Sequence, residues 1–205
     1  MKLLLFLFLF TLSSFAQVTV KHTNYTVTID TLKHYPICVS WNQNKEMENC
    51  DKLVRVNTFA TDSLLPKWTD IDKYYENSGL IDRGHMMPAE INLCQGEWVE
   101  HQCFLMGNIA AQYRGLNRGP WKSIETISYN WAKLYDLKIW AGNIGEIGKL
   151  GIVSIPKYCW KIIYIVQKNQ FYAYLFLNSN DKKANRDPQS TVENIESLTG
   201  LTFVP

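Results

Sequence analysis

Apolar residues in this chain gather in short bursts, some alternating with polar residues and some continuous. Runs of strand length fall at residues 18–29, 37–41, 103–108, 137–141, 158–166 and 171–177, and they are rich in β-branched and aromatic side chains that suit a pleated surface. Helical spacing is rarer. Trp121, Ile124, Ile127, Trp131 and Leu134 recur at three- and four-residue steps, which predicts an amphipathic helix over residues 121–135 beginning near Pro120, a residue favoured in a first turn. A second helix is predicted over residues 191–198, introduced by Ser190 or Thr191 ahead of Glu193. Residues 178–190 are polar, carry Lys182, Lys183, Arg186 and Pro188, and read as a surface loop. Strands outnumber helices, so the expected class is α+β with a largely antiparallel sheet.

The chain starts with Lys2, an apolar run of Leu and Phe to Phe10, and a small-residue exit at Ser14-Phe15-Ala16. This is the pattern of a cleaved secretory signal, with cleavage expected after Ala16. The run is shorter than the roughly 20 residues that span a bilayer, so no stable membrane association is expected after cleavage, and the location is secreted or periplasmic. Removing residues 1–16 leaves 17–205 as a single domain; the 21 basic and 19 acidic residues, less Lys2, then give a net charge of +1. That balance alone selects no partner. A local basic stripe from Arg55, Arg83, Arg114, Arg118 and Lys122 is one arrangement that would track phosphates; a surface scatter is the other.

An oxidising compartment invites pairing of the five cysteines, with at least one left over. The local choices are Cys38 with Cys50 and Cys94 with Cys103, leaving Cys159 buried in its strand-like run. A zinc site from Cys94, His101 and Cys103 is the alternative, but the paired Cys-x-x-Cys spacing is missing. His22, His34 and His101 read as surface or hydrogen-bonded histidines. Core packing is the default for the seven tryptophans, and Trp121 is the one to test for base stacking.

The chemistry concentrates in Asp82-Arg83-Gly84-His85. Histidine titrates nearest neutrality and can take a proton from water, and arginine offers a planar, permanently charged fork for phosphate oxygens. Four fixed residues arise by chance in roughly one chain in a thousand of this length at average usage. More decisive are two segments that come later in the chain: Phe104-Leu105-Met106-Gly107-Asn108-Ile109-Ala110-Ala111-Gln112, then Leu116-Asn117-Arg118-Gly119-Pro120-Trp121-Lys122-Ser123-Ile124-Glu125. This series resembles the DNA/RNA non-specific endonucleases, the ββα-metal or His-Me finger family that includes the Serratia-type nuclease and mitochondrial endonuclease G. Upstream Arg55-Val56-Asn57-Thr58-Phe59 with Asp62 resembles a family segment. So do downstream Gly151-Ile152-Val153-Ser154-Ile155-Pro156 with Lys161, and the closing Ile195-Glu196-Ser197-Leu198-Thr199-Gly200-Leu201. The resemblance covers about residues 35–203.

It implies a central, mostly antiparallel sheet flanked by helices, with a ββα-metal active-site motif. It also implies a metal-dependent enzyme that hydrolyses phosphodiester bonds of DNA and RNA and leaves 5′-phosphate ends. His85 would be the general base. Asn117 would be the direct protein ligand of one divalent ion, magnesium first and manganese or calcium as alternatives, with Glu125 holding that ion through water. An ion content to keep several waters suits such a sparse oxygen set. Arg83 and Arg55 would contact phosphate, Arg118 would bind substrate, and Asn108 would complete the catalytic group. Two departures stand out: Ala111 where many members have proline, and Tyr129 where some have an arginine four residues after the glutamate.

A continuous helix from Asn117 to Glu125 would put the two side chains within about 80° of each other and roughly 12 Å apart along the axis. Gly119, preceding Pro120, disfavours that helix and allows a turn instead. Three classes remain open on the sequence: a DNA/RNA nuclease, a narrower phosphodiesterase or RNase with the same site, and a non-catalytic secreted binding module. The joint presence of Arg83, His85, Asn117 and Glu125 weighs against the third.

Overall fold

A computed structural model describes residues 16–47, 54–55 and 58–205, with the side chains of Cys94 and Lys182 left aside. The leader, Cys50, Val56 and Asn57 lie outside the described residues. The strands are β1 (Gln17–Lys21), β2 (Tyr25–Asp30), β3 (Tyr35–Gln43), β4 (Ile81–His85), β5 (Ile109–Tyr113), β6 (Leu137–Ile144), β7 (Gly148–Leu150), β8 (Val153–Ile155), β9 (Tyr158–Ile165), β10 (Gln170–Leu177) and β11 (Gln189–Ser190). The helices are α1 (Pro66–Thr69), α2 (Glu97–Gln102), α3 (Arg114–Leu116), α4 (Lys122–Ala132) and α5 (Val192–Thr199).

Among the described residues, seven strands form one antiparallel sheet in the order β1-β2-β3-β6-β9-β10-β11. Interior strand β9 reads Tyr-Cys-Trp-Lys-Ile-Ile-Tyr-Ile and is buried almost throughout, the near-continuous run of a strand covered on both faces. In β2, by contrast, Tyr25, Val27 and Ile29 are buried at every second position, so one face carries the core. Trp121, Ile124 and Ala132 of the α4 region pack with Val27, Ile139, Ile163 and Phe176, whereas Ile195 of α5 packs with Trp160, Ile162 and Phe203. These are separate clusters, consistent with the α+β expectation of helices flanking the sheet. No described helix is long and apolar enough to cross a membrane.

Several expectations change in detail. Residues 103–108 are no strand: they form a turn and a 3-10 segment with one isolated β-bridge among the described residues, between Leu105 and Ala60, and the strand starts at Ile109. Residues 18–29 are two strands of a hairpin. The inward stripe of α4 is Ile124, Ser128 and Ala132; Ile127 stands 36% exposed and Leu134, past the helix end, 72%. Thr191 caps α5 by accepting a hydrogen bond from the Asn194 amide at 3.1 Å.

The 178–190 segment is anchored rather than a simple surface loop. Asn178 is buried; its Oδ1 accepts from the Tyr113 amide at 2.8 Å and its Nδ2 donates to the Ala111 and Pro156 carbonyls, each at 2.9 Å. Among the described residues Cys38, Cys103 and Cys159 carry free thiols; their expected partners, Cys50 and the Cys94 side chain, lie outside the described residues. Cys103 Sγ instead accepts from Asn92 Nδ2 at 3.0 Å and faces the Pro88 carbonyl, while Cys159 is buried in β9 as expected. His22 is buried against Asp62 at 2.9 Å, and His34 bonds the Trp68 carbonyl at 3.0 Å.

Candidate active site

Antiparallel pairing of β4 with β5 sets Asp82 opposite Gln112 and His85 opposite Ile109. A Cβ on Gly84 would lie 2.1 Å from Gln112 Oε1, so only glycine allows this approach. The chain leaves β5 through α3 and a wide turn, Asn117–Trp121, that breaks at Gly119 (φ −119°, ψ −112°) before α4 begins. Asn117 is therefore not on the helix of Glu125, and the roughly 12 Å axial separation of a continuous helix does not apply. Arg55, Arg83, His85, Asn117, Arg118 and Glu125 all line one cleft of about 700 Å³, together with Arg114 and Lys122. The basic stripe is realised as the lining of this cleft.

His85 forms the floor. Its ring lies edge-on to Phe104 with centroids 5.1 Å apart and tilted against Phe59 at 5.5 Å, and Trp121 Nε1 donates to its carbonyl at 3.1 Å. Nε2 is sealed from solvent with no hydrogen-bond partner, which leaves Nδ1 as the ring nitrogen able to serve the cleft. Burial, followed by the Arg55 guanidinium, pushes its pKa from 6.5 down to about 3; Glu90 pulls the other way and Lys122 adds to the fall. The imidazole is thus neutral at neutral pH, as a proton acceptor must be.

One wall is organised by Asp82. This carboxylate accepts from Asn117 Nδ2 at 3.0 Å, from Arg118 Nε and Nη2 at 2.7 and 2.9 Å, and from Arg114 Nε at 3.3 Å. Burial alone would raise its pKa, but the hydrogen bonds from Arg118 and Asn117 hold it below the usual carboxylate value. With Nδ2 committed to Asp82, the Asn117 amide has its Oδ1 as a hard oxygen donor. Arg118, expected to bind substrate, is first of all a clamp on Asp82.

A second group of cations in the lining is organised by Glu90, which accepts from Arg55 Nη1 at 3.0 Å and Lys122 Nζ at 3.2 Å; Lys122 Nζ also lies 3.6 Å from the Glu125 carboxylate. Burial raises the pKa of Glu125 against the pull of Lys161 and Lys122. Lys161, on β9, is fully buried with its Nζ unpartnered by any hydrogen bond and set 4.1 Å from the centroid of the Trp121 ring. Burial, opposed by Glu125, pushes its pKa down to about 8. Trp121 is thereby a packing residue: it is fully buried and touches Phe176 as well.

Arg83 donates from Nε to the Asp72 carboxylate and from Nη2 to the Asp72 carbonyl at 3.1 Å, with its guanidinium 5.3 Å from each of the Phe59 and Tyr75 ring centroids. Asn108, expected to complete the catalytic group, does not line the cleft. It is fully buried away from the cleft, where its Oδ1 accepts from the Met87 amide and its Nδ2 donates to the Met87 and Cys103 carbonyls, all at 2.9 Å. Those bonds fix the chain just after His85. Glu90 and Asp72 escape sequence reasoning, because each acquires its role from an arginine distant in the chain and nothing local marks it. Asp82 belongs to the Asp-Arg-Gly-His motif, and a lysine in the apolar run of β9 is itself a visible anomaly.

A two-stranded hairpin that delivers a histidine, followed by a helix that delivers a carboxylate to the same cleft, defines a ββα-type nuclease site. Residues 9–205 match the family model for DNA/RNA non-specific endonuclease, and the chain belongs to that family. It is 28% identical over 198 residues to a protein named Nuclease from Nostoc sp., covering 88% of this chain and 70% of the relative. It is also 28% identical over 149 residues to Nuclease C1 of Cunninghamella echinulata var. echinulata, covering 63% of this chain and 58% of that protein. In fold it is similar to a chain in the crystal structure of the EndoG/EndoGI complex, with a TM-score of 0.76 at 22% identity, over 90% of this chain and 84% of the other.

Proposed function

We propose that the mature chain, released by cleavage after Ala16, is a secreted or periplasmic endonuclease that hydrolyses phosphodiester bonds of both DNA and RNA with the aid of one magnesium-type ion, leaving 5′-phosphate ends. The observation that carries this reading is the convergence on one cleft of a neutral His85, the Asn117 amide oxygen and the Glu125 carboxylate. His85 Nδ1 takes the proton of a water molecule whose oxygen attacks phosphorus in line with the departing oxygen. The bond from phosphorus to the leaving 3′-oxygen breaks, and that oxygen takes a proton from water in the cleft to become the 3′-hydroxyl. Arg83 and Arg55 face the charge that grows on the phosphate, and Asp82 keeps Asn117 from turning away.

The donor set fits a hard cation. Asn117 Oδ1 would hold the ion directly and Glu125 would hold it through water, while among the described residues no thiol lines the cleft to favour a softer metal. When bound, that ion supplies Lewis-acid neutralisation of phosphate charge. The direct test is digestion of supercoiled plasmid and total RNA by the mature protein and by His85→Ala, each with magnesium and with a chelator. Magnesium-dependent loss of both substrates with wild type alone is expected. Cleavage of RNA only would replace this reading by the narrower RNase, and cleavage of neither under any divalent ion would leave the binding module.

A further inference from the structure

Arg83 and His85 stand two residues apart on β4, so their side chains leave the same face of the strand. The arginine is held along one side. Its Nε donates to the Asp72 carboxylate and its Nη2 to the Asp72 carbonyl at 3.1 Å. Of the five N–H groups of a guanidinium, the two on Nη1 and the second on Nη2 are left without a hydrogen bond among the described residues, and these form the end of the fork. The Phe59 and Tyr75 rings stand beside the same group, each centroid 5.3 Å from Cζ, and Phe59 also lies 5.5 Å from the His85 ring. Arg83, Phe59, Tyr75 and His85 all line the cleft, whereas Asp72, at the start of the 3-10 segment Asp72–Tyr75, does not. Fold stability gives little reason for the pair: its side chains are 25% and 40% exposed, and an ion pair this open contributes little.

We propose that Asp72 is a positioning residue for phosphodiester hydrolysis that acts through Arg83: by occupying the Nε side of the guanidinium it presents the end of the fork to the scissile phosphate beside His85. The proposal rests on the nuclease function proposed for the cleft and adds a residue that touches neither substrate nor water. A guanidinium grips phosphate through parallel N–H bonds in a fixed plane, so its aim matters as well as its charge. The charge of Asp72 taken alone predicts the opposite behaviour. An anion beside the cleft repels a polyanion, and its removal on that account strengthens binding and leaves turnover no slower. Loss of aim slows the chemical step instead, while Arg83 keeps the charge that attracts the substrate.

The test is plasmid cleavage at saturating magnesium by wild type, Asp72→Ala and Asp72→Asn, with kcat and KM separated and the urea midpoint of each variant recorded. Asp72→Ala should lower kcat about ten- to a hundredfold, the scale of a reacting group displaced by roughly 1 Å, with KM unchanged or lower and the midpoint kept. Asp72→Asn, which is isosteric and keeps an acceptor for Nε, should show a smaller loss of kcat in the same direction and reads the same question if the alanine variant does not fold. In an Arg83→Lys background, where the ammonium has no fork to aim, Asp72→Ala should cost no further turnover. An unchanged or raised kcat in the folded variant would overturn the proposal while leaving the nuclease intact. An equal loss of kcat with and without the Arg83 guanidinium would overturn it too, by making Asp72 a residue of the fold alone. Failure of wild type to cut would remove the nuclease function and this role with it.

Discussion

The two walls of the cleft use the same device, a carboxylate that gathers cations, to opposite effect. Asp82 stands on a strand whose register with β5 is fixed at five successive pairs; its side chain is 12% exposed and bonds three residues at once. Glu90 projects from the 3-10 segment after Pro88, is 35% exposed, and has a partner in Lys122 that divides itself between Glu90 and Glu125. A carboxylate held by three partners on a paired strand fixes geometry, whereas a half-buried ion pair whose lysine is shared between two carboxylates re-forms more readily. The walls therefore divide their labour. The Asp82 wall holds the Asn117 amide still, and the Glu90 wall can yield to phosphates of differing placement.

Breaking the floor between the walls has the largest expected effect. His85→Ala should lower the rate of plasmid cleavage at least about a hundredfold, as removal of a general base does, with circular dichroism unchanged; near-normal cleavage contradicts the assignment. Next comes the rigid wall. Asp82→Ala releases Asn117, Arg114 and Arg118 together, and magnesium affinity measured by calorimetry should fall about 10–100-fold, the usual cost of losing a group that orients a metal ligand. An unchanged affinity would place Asp82 outside the ion site.

The yielding wall should respond in the other sense. Glu90→Gln removes the anion that neutralises Arg55 and Lys122, so nucleic-acid binding should tighten at low salt and its log–log salt slope should steepen by about one charge. Weaker binding would show that Glu90 orders these cations rather than masks them.

The smallest effect is on pH dependence. Burial first and Arg55 second depress the His85 pKa to about 3. Because protonation removes the base, the acid limb of kcat/KM should lie below the ordinary histidine value of about 6.5, and Arg55→Met should move it to higher pH. The same shift has a stability counterpart. A histidine kept neutral by folding contributes stability that is full above about pH 6.5 and is lost as pH falls toward the folded value, by at most about 1.4 kcal/mol per pH unit. Urea denaturation between about pH 7 and 4, the window set by that linkage, should therefore show a flatter dependence for His85→Gln.

Much of the sheet was legible because buried strands advertise themselves: β6, β9 and β10 are apolar runs that appear where the pattern places them. The 103–108 run misled for a physical reason. Phe104, Met106 and their neighbours are buried by packing, while their backbone is satisfied by turns and by Ala60, whose amide donates to the Phe104 carbonyl at 3.2 Å and whose carbonyl accepts from the Met106 amide at 2.9 Å. Strand β4 was invisible as a strand since Asp, Arg, Gly and His have little preference for one; pairing with β5 imposes it. In the site, His85, Arg83, Asn117 and Glu125 stood in recognisable motifs. The roles of Asp72 and Glu90 depend on side chains brought from afar, and no local pattern encodes that.

In the proposed mechanism the base and the ion ligand are different residues of one cleft, His85 and Asn117, and a single titration separates them. Manganese, as a magnesium substitute, is titrated into wild type, His85→Ala and Asn117→Ala while plasmid cleavage by each is followed. The expected result is that His85→Ala binds the ion as wild type does yet fails to cut, and that Asn117→Ala loses both ion and cleavage. Wild-type ion affinity in Asn117→Ala, or loss of the ion in His85→Ala, would contradict this division.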